Sequence, residues 1–380
     1  MKILVVGISV RAMVESAVHS GYPIIAVDAF GDQDLSRLAD SYSLHRDSHS
    51  PYSAQALYRA SRNFDYDAVA YTSNLENHPE ILGRLAGDRP IIGNRPSAIV
   101  SVRNWKVLFS RLRQAGFSVP DTIFADEGRS IDANHKWLIK PVLSGGGHGI
   151  AFLQGGARVG HSVMIQEYIP GKSCSAAFVA NGRESRLIGI TEQLTGLHHF
   201  NSHGFRYCGN ILPLPESLPS DDGKRVLYQV SRLTTFLVQE YGLMGVNGID
   251  FILNEGRVVL TEVNPRYSAS MELMEQAYNL PVFHLHVQAV LNGTLPDFDL
   301  GTHMEPAAFF GKGILYAGID CVMPDTSGWG FRSIRDIPVP GETVREGSPV
   351  CTILTKRSTY EETVSGLIEK AGILKEEIHG

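Results

Sequence analysis

The chain of 380 residues lacks several features that would assign it to a function class at once. It has four cysteines, none close enough in sequence to another to form a Cys-x-x-Cys metal site. Scattered cysteines indicate reduced thiols, so we expect a cytoplasmic protein. No apolar run approaches the roughly 20 residues that span a bilayer, and we expect no membrane partner. Lys and Arg number 34 against 40 Asp and Glu, without a basic cluster, which argues against a nucleic-acid partner.

The composition is that of a globular protein, with 43% hydrophobic and 19% charged residues. The length predicts two to three domains, which we place at residues 1–95, 96–300 and 301–380. Residues 1–95 alternate short apolar runs with helical patterns, which predicts βαβ units and an open parallel sheet. We predict one helix over residues 97–116 and a β-rich third domain.

A glycine-rich loop at residues 144–149 joins two predicted strands. Its Gly145, Gly146 and Gly147 would let backbone N–H groups approach a phosphate, and a flexible hairpin tip is the alternative interpretation. No Gly-Lys-Ser/Thr ending follows, so the loop is not a Walker loop. It is not a dinucleotide fingerprint either, because it joins two strands rather than a strand and a helix. Lys140 ends the strand before the loop, where it would pair with phosphate oxygens or face solvent.

Three side chains with oxygen ligands lie in a predicted β-hairpin. Asp250, Glu262 and Asn264 supply the hard oxygen atoms that Mg²⁺ prefers. Glu262 and Asn264 share a face because side chains alternate along a strand. Asp250 joins them only if the hairpin loop has an odd number of residues, so we predict a three-residue loop, 254–256, that pairs Asp250 with Leu260. Ordinary surface acids on a half-buried hairpin are the alternative.

In this order the segments resemble the ATP-grasp family, most of all its biotin-carboxylase-related carboligases and amino-acid ligases. The resemblance covers about residues 1–300, and its segments are Asn104-Trp105-Lys106, Leu138-Ile139-Lys140-Pro141, Ser144–Gly149, Ile165-Gln166-Glu167-Tyr168-Ile169-Pro170-Gly171, Asp250-Phe251 and Glu262-Val263-Asn264-Pro265-Arg266. It implies an α/β fold with an N-terminal open parallel sheet and a double α+β ATP-grasp subdomain. The subdomain would have a lid at about 120–165 and precede a small β-rich C-terminal domain.

The resemblance also implies ATP and Mg²⁺ (or Mn²⁺) as cofactors, and it assigns roles to particular residues. The implied ATP contacts are Lys106, Lys140, Gly145, Gly146, Gly147, Gln166, Glu167 and Ile169. The implied metal ligands are Asp250, Glu262 and Asn264. Arg266 would stabilise an acyl-phosphate intermediate. Arg206 is a second catalytic candidate because an arginine can fork onto a carboxylate or a phosphate, although a mobile loop would equally explain its polar surroundings.

Substrates of open parallel sheets bind beyond the carboxyl ends of the strands, which here directs attention to Arg11, Asn74 and Glu76. Glu76 suits an ammonium group, and a structural or solvated role is the alternative for each residue. We expect an ATP-dependent carboxylate–amine ligase that forms an amide through an acyl phosphate and releases ADP and phosphate. A carboxylase that uses bicarbonate and a non-catalytic nucleotide-binding regulator are the alternatives. A homodimer stays open as the assembly.

Overall fold

A computed structural model describes residues 1–125, 127, 131–132, 134–154, 160, 162–303 and 308–379. It has a mixed α/β fold with a five-stranded parallel sheet and antiparallel sheets of eight and four strands, so the predicted fold class is confirmed. Within the described residues, no helix is both long enough and apolar enough to cross a membrane.

The N-terminal sheet has five parallel strands in the order β3-β2-β1-β4-β5. Its elements are β1 (Ile3–Val6), α1 (Arg11–His19), β2 (Ile24–Asp28), α2 (Gln33–Leu38), β3 (Asp40–Ser43), α3 (Leu44–Ser48), α4 (Ala54–Ser61), β4 (Ala68–Tyr71), α5 (Pro79–Ala86) and β5 (Ile91–Ile92). The central strand β1 is buried on both faces, since Ile3 and Val5 belong to one apolar cluster and Leu4 and Val6 to another. Apolar runs predicted four of these strands. They did not predict β3, whose residues are polar and mostly half-buried.

The helix predicted over 97–116 is in fact two helices. They are α6 (Pro96–Val102) and α7 (Trp105–Gln114). The side chain of Asn104 accepts a hydrogen bond from the backbone N–H of Val107 at 3.3 Å and so caps the start of α7. The break places Arg103 in the connection between the helices, from which its side chain extends to Glu262.

A small antiparallel sheet carries the glycine-rich loop. Its strands follow the order β6-β9-β7-β8, with bounds β6 (Thr122–Ile123), β7 (Trp137–Pro141), β8 (Ala151–Phe152) and β9 (Val163–Glu167). The loop connects β7 to β8, as predicted. The predicted lid at about 120–165 includes residues 126, 128–130, 133, 155–159 and 161, which lie outside the described residues.

The largest sheet has eight antiparallel strands in the order β14-β13-β10-β11-β12-β15-β19-β17. Its first five strands along the chain and the helices around them are β10 (Lys172–Asn181), β11 (Ser185–Thr195), β12 (Tyr207–Leu212), α8 (Asp221–Tyr241), β13 (Met244–Asn254), β14 (Arg257–Asn264), α9 (Met271–Tyr278) and α10 (Val282–Asn292). Strands β13 and β14 form the predicted hairpin and lie at one edge of this sheet.

The C-terminal segment continues the same sheet. Its elements are β15 (Phe309–Tyr316), β16 (Cys321–Val322), β17 (Ile334–Arg335), β18 (Thr343–Val344), β19 (Pro349–Arg357) and α11 (Tyr360–His379). Strand β15 pairs with β12 and also with β19, so the sheet runs without interruption across the two regions. The domain boundary near residue 301 stays a prediction, and the strands on its two sides share one sheet.

Helix α10 fixes the N-terminal sheet against the large sheet. The backbone N–H of Phe283 donates to the hydroxyl of Ser16 at 2.9 Å. The ring of His286 lies between Nδ1, which accepts from the N–H of Val246 at 2.8 Å, and Nε2, which is 2.9 Å from the carbonyl oxygen of Ile92. Burial lowers the pKa of His286 to about 4, so the ring is neutral. These bonds hold the two sides of the central cavity in a fixed relation.

Candidate active site

A cavity of about 1010 Å³ lies where the N-terminal sheet, the small sheet and the large sheet meet. Fifteen of the sixteen predicted site residues line it, namely Arg11, Asn74, Glu76, Lys140, Gly145, Gly146, Gly147, Gln166, Glu167, Ile169, Arg206, Asp250, Glu262, Asn264 and Arg266. Lys106 is the predicted residue that the structure does not bring to this cavity. The fold therefore gathers residues that are spread over more than 250 positions of the chain.

The hairpin that carries the predicted metal ligands turns in two residues rather than the predicted three. Asn254 pairs with Arg257, which leaves Glu255 and Gly256 in the turn with φ of 47° and 77°. Positive φ at both positions is typical of the tight turn that joins antiparallel strands. The predicted loop 254–256 and the pairing derived from it are wrong.

A β-bulge compensates for the shorter turn. Regular pairing after a two-residue turn would place Asp250 and Glu262 on opposite faces of the hairpin. The register shifts by one residue after Phe251, which pairs with Leu260, so that Asp250 lies directly opposite Glu262. The extra residue is Thr261, and its hydroxyl donates to the carbonyl oxygen of Asp250 at 3.1 Å. The two carboxylates therefore do share a face, for a reason the sequence pattern does not reveal.

Asp250 is held by two amide side chains. Its Oδ1 accepts from Nε2 of Gln193 at 3.0 Å, and its Oδ2 accepts from Nδ2 of Asn264 at 3.0 Å. Burial, together with the negative charge of Glu262, raises the pKa of Asp250 to about 7. Two carboxylates this close repel each other unless positive charge is supplied.

Three cations of the protein surround Glu262. Its Oε2 is 3.5 Å from Nζ of Lys140, and its Oε1 is 3.5 Å from Nη1 of Arg103. Burial alone would raise the pKa of Glu262, but the charges of Lys140, Arg103 and Arg266 outweigh it, and the pKa is lowered. The Arg103 guanidinium and the Lys140 ammonium also lie over the ring of Trp105, at 4.9 and 5.7 Å from its centroid. The Glu262 carboxylate, with its lowered pKa, is therefore ionised.

The donor set of the hairpin fits a hard divalent cation. Asp250 and Glu262 offer carboxylate oxygens, and Asn264 lies two residues along the same strand face as Glu262. Within the described part of the chain, no cluster of three or more His, Cys, Asp or Glu side chains forms a metal site on its own. The set of two carboxylates and one amide resembles sites in which Mg²⁺ takes its remaining ligands from water and substrate phosphates.

Arg266 joins this hairpin to the N-terminal sheet. Its Nε donates to Oε1 of Glu76 at 2.7 Å, and its Nη2 donates to Oδ1 of Asn264 at 3.3 Å. The guanidinium is buried, and the charge of Glu76 helps to raise its pKa against the opposing effect of burial. Oε2 of Glu76 is buried without a hydrogen-bond partner among the described residues. A charged residue of the hairpin and an acid of the N-terminal loop thus meet inside one cavity.

Comparison with known proteins agrees with this geometry. Residues 104–270 match the family model described as the ATP-grasp domain. The chain carries an ATP-grasp domain. The match begins at Asn104, covers the glycine-rich loop and includes the ligand hairpin, so the resemblance predicted from the sequence is confirmed.

The similarity to known proteins extends beyond the ATP-grasp domain to nearly the whole chain. An uncharacterized protein of Methanocaldococcus jannaschii is 23% identical over 390 residues, which cover 95% of this chain and 92% of that protein. The L-amino acid ligase of Bacillus licheniformis superposes with a TM-score of 0.69 at 14% identity, covering 98% of both chains. A biotin carboxylase–β,γ-ATP complex of Campylobacter jejuni gives a TM-score of 0.72 at 14% identity, covering 99% of this chain and 91% of the other. At these identities the two structures share the fold.

The glycine-rich loop of the ATP-grasp domain packs against the start of strand β12. The carbonyl oxygen of Gly146 accepts from the N–H of Tyr207 at 3.0 Å. Gly147 has φ of 76°, and a Cβ there would lie 2.0 Å from the carbonyl oxygen of Phe205. Glycine is therefore required at position 147 both by conformation and by space. At Gly145 a Cβ would meet no atom within 4 Å.

Arg206 lines the cavity but is held by the C-terminal segment. Its Nη2 donates to the carbonyl oxygen of Gly347, and its guanidinium lies 3.7 Å from the centroid of the Tyr316 ring. Its Nε is buried and has no hydrogen-bond partner among the described residues. One N–H of the predicted catalytic arginine thus has no acceptor among the described residues.

Lys106 occupies the outer side of α7. It is half exposed, and its Nζ lies 3.6 Å from Oε1 of Glu127. Consecutive helical residues point about 100° apart. Since Trp105 turns into the core, its neighbour turns outward. The phosphate contact implied for Lys106 is therefore not part of the cavity in this structure.

The predicted adenine-binding segment of the ATP-grasp domain is strand β9 and its continuation. Nε2 of Gln166 donates to the hydroxyl of Thr122 at 3.3 Å. The backbone N–H of Glu167 donates to the carbonyl oxygen of Asp121, and its Oε2 accepts from the N–H of Asp121 at 3.1 Å. These bonds fix the strand, while both residues and Ile169 face the cavity.

Arg11, a predicted substrate contact, is engaged with acidic side chains of the protein itself. It is 1% exposed, and its Nε and Nη2 donate to the two oxygens of Asp336 at 2.9 and 3.2 Å. Its Nη1 donates to Glu272 and, at 2.8 Å, to Glu15. Arg11 therefore holds carboxylates of its own chain rather than one of a substrate. Asn74 also lines the cavity, with its side-chain oxygen accepting from Asn77.

Several site residues escaped the sequence analysis. Arg103 precedes the recognised Asn104-Trp105-Lys106 segment directly, so proximity to that segment was an available signal. Gln193 and Lys312 carry no local signature, although Gln193 holds Asp250 and Lys312 pairs with Glu272. Their positions follow from strands β11 and β15, which only the folded sheet brings to the same cavity as the hairpin.

Proposed function

We propose that this protein is an ATP-dependent carboxylate–amine ligase that forms an amide through an acyl phosphate and releases ADP and phosphate. The observation that carries the proposal is the carboxylate pair Asp250 and Glu262, directly opposite each other in a cavity that also contains Lys140 and Arg266. This arrangement suits chemistry that depends on positioning and charge neutralisation rather than on a covalent enzyme intermediate.

Binding of the nucleotide is assigned to the small sheet and the hairpin. The N–H groups of the glycine-rich loop and the ammonium group of Lys140 contact phosphate oxygens, and residues 166–169 receive the adenine ring. Asp250, Glu262 and Asn264 hold Mg²⁺ or Mn²⁺. When bound, the cation neutralises phosphate charge and orients the phosphoryl group. The ionised state of Glu262, kept by its three neighbouring cations, prepares the site for this ligand.

The reaction then follows in two steps. A carboxylate oxygen of the acid substrate attacks the γ-phosphorus of ATP, which forms the acyl phosphate and releases ADP. The amine attacks the acyl carbon, loses a proton, and displaces phosphate to leave the amide. Arg266 stabilises the negative charge of the acyl phosphate. Oε2 of Glu76, which has no partner among the described residues, holds the ammonium form of the amine before attack.

A carboxylase that uses bicarbonate is the second candidate among enzymes. Biotin carboxylases share the fold, as the Campylobacter jejuni structure illustrates. The cavity, however, continues past the carboxylate pair to Ser9, Phe30 and Tyr52 of the N-terminal loops. A nucleotide and a small anion do not need this extension, which favours an organic substrate. A cytoplasmic location, a homodimer and the lack of a nucleic-acid partner stay predictions.

The test combines ADP release with isotope transfer. The protein is incubated with MgATP and pairs of carboxylic acids and amines, including bicarbonate among the acids. We expect ADP release that requires an acid and an amine together, and transfer of ¹⁸O from the labelled carboxylate to phosphate. Transfer from bicarbonate alone would support the carboxylase instead. Nucleotide binding without ADP release for any pair would support a non-catalytic regulator and contradict the ligase.

A further inference from the structure

A cluster of four aspartates, the acidic corner, closes the end of the cavity away from the hairpin. It consists of Asp28, Asp32, Asp34 and Asp336. The first three follow or end strand β2, and Asp336 follows β17, so the corner forms where the N-terminal loop meets the C-terminal segment. The backbone N–H of Gln33 donates to the carbonyl oxygen of Ile337 at 2.8 Å and fixes this junction.

The acidic corner has fewer cations than carboxylates. Arg11 donates two hydrogen bonds to Asp336 and one each to Glu272 and Glu15. Asp34 accepts from the N–H groups of Asp336 and Ile337 at 2.9 and 3.0 Å, and its Oδ2 lies 3.7 Å from Nε of Arg11, so four carboxylates share this one arginine.

A second cation near the acidic corner is already occupied. Nε and Nη2 of Arg46 donate to Asp47 at 3.0 and 3.1 Å. Its charge acts on Asp28 only at a distance. No lysine or arginine among the described residues therefore forms an ion pair with Asp32 or Asp28.

Asp32 lines the cavity and has an unsatisfied carboxylate oxygen. It is 8% exposed, it lines the cavity, and its Oδ2 has no hydrogen-bond partner among the described residues. Asp28 is fully buried behind it, with Oδ1 accepting from the N–H of Gly31 at 3.0 Å and Oδ2 equally unpartnered. Burial and the charges of Asp336 and Asp28 raise the pKa of Asp32. A buried carboxyl group without a partner is costly, and a bound cation would remove that cost.

Other side chains that line the cavity suit a cation as well. Phe30 and Tyr52 line the same cavity, and aromatic rings attract ammonium and guanidinium groups. Glu342 lines it too and adds a further carboxylate, whose Oε1 lies 3.1 Å from Nδ1 of His45.

We propose that Asp32 anchors a positively charged group of the amine substrate, so that this substrate carries a basic group, ammonium or guanidinium, in addition to the nitrogen that reacts. The proposal rests on the proposed ligase function and specifies its substrate class. The cation binds between the carboxylate of Asp32 and the ring of Phe30. The reacting nitrogen then extends toward Arg266 and Glu76.

The test measures binding of matched probes by calorimetry in the presence of MgADP. The pairs are L-lysine with L-norleucine and cadaverine with pentylamine, which differ by one ammonium group. We expect at least one pair in which the probe with the extra ammonium group binds ten-fold or more tightly. Asp32→Asn should reduce that preference to less than two-fold. Asp32→Ser, which retains a residue suited to the start of α2, provides a second variant should the first not fold.

Asp28→Asn is the matched control, because it removes a carboxylate of the same corner that does not line the cavity. We expect this variant to keep the preference. An absent preference in the wild type, or a preference that survives loss of Asp32, overturns the proposal. So does an equal loss in the Asp28 variant, since the field of the corner rather than contact with Asp32 would then explain it. MgADP binding that persists alongside any of these results leaves the ligase function standing, whereas loss of MgADP binding in the wild type contradicts the ligase function itself.

Discussion

The two ends of the cavity contain buried carboxylates in opposite electrostatic settings. At the hairpin end, Glu262 has Lys140 and Arg103 within 3.5 Å. At the acidic corner, Asp28 and Asp32 form no ion pair with any described residue, and Arg11 is shared among other acids. Both ends are buried, so burial does not explain the difference between them. The supply of cations does.

This difference appears in the pKa directions. Burial raises the pKa of Asp28 to about 8, and the charge of Asp336 adds to the effect. The pKa of Glu262 is lowered despite burial, because its neighbouring cations dominate. At the hairpin end, the Glu262 carboxylate is thus ionised and neighbouring cations balance its charge, an arrangement that suits a metal ion and phosphates. The acidic corner is left short of positive charge, which a ligand can bring.

The largest expected effect comes from removing a carboxylate at the hairpin end of the cavity. We expect Glu262→Gln to lower the rate of ADP formation by on the order of 10³-fold, because it removes a charge that acts on the phosphoryl group. The measurement is a coupled ADP assay on protein whose fold is checked by circular dichroism. Glu255→Gln, exposed in the turn of the same hairpin, is the control and should be fully active. Normal turnover by a folded Glu262 variant would falsify the metal assignment.

The next effect concerns the single shared cation of the acidic corner. Arg11→Met leaves Asp336 buried without its arginine partner and leaves Glu272 paired with Lys312 alone, which costs about 3–5 kcal/mol in the free energy of unfolding. Urea denaturation measures it, with the exposed Arg183→Met as control. An unfolding free energy equal to that of the wild type would show that the corner tolerates the loss and would remove the contrast between the two ends.

The acidic corner should also respond in the opposite sense when an acid is removed. The folded-state pKa of Asp28, about 8, lies above its ordinary value of 3.8, so the folded state binds the extra proton and loses stability as pH rises from about 4 to about 8. We expect Asp28→Asn, which keeps the bond from Gly31, to raise the unfolding free energy at pH 7 by about 2 kcal/mol. The gain should vanish near pH 3. Denaturation at the two pH values checks this, and a loss of stability at pH 7 would contradict it.

The smallest expected effect concerns nucleotide binding by the glycine-rich loop. Gly147→Ala introduces a Cβ 2.0 Å from the carbonyl oxygen of Phe205, which displaces the loop. We expect the KM for ATP to rise roughly ten-fold, since displacing binding groups by about 1 Å is costly. Gly145→Ala, where the added Cβ meets no atom within 4 Å, is the matched control. Equal KM values for the two variants would mean that the loop does not contact ATP.

Much of this architecture could be predicted from local sequence patterns. The apolar runs of β1, β2, β4 and β5 have one interpretation because strands buried on both faces must be continuously hydrophobic. The ligand types at Asp250, Glu262 and Asn264 were equally visible, although alternation along the strand accounts only for the shared face of Glu262 and Asn264. Here the residues and their spacing carry the information.

Other features depend on contacts that no local pattern encodes. The bulge at Thr261 changes the register of the hairpin without a marker in composition. Lys106 fits the family segment but turns outward because its neighbour is buried. The acidic corner joins residues about 300 positions apart, so that neither Asp32 nor Asp336 is distinctive until the chain is folded.

The pairing of β12 with β15 limits how this protein can be divided. Residues 104–270 define the recognised family segment, yet a fragment with those ends would lack β15 and leave β12 with an open edge. Such a fragment should aggregate when produced alone. For the same reason the segment is a poor cassette for exchange between relatives, and recombination that preserves function should place its crossovers outside the eight-stranded sheet.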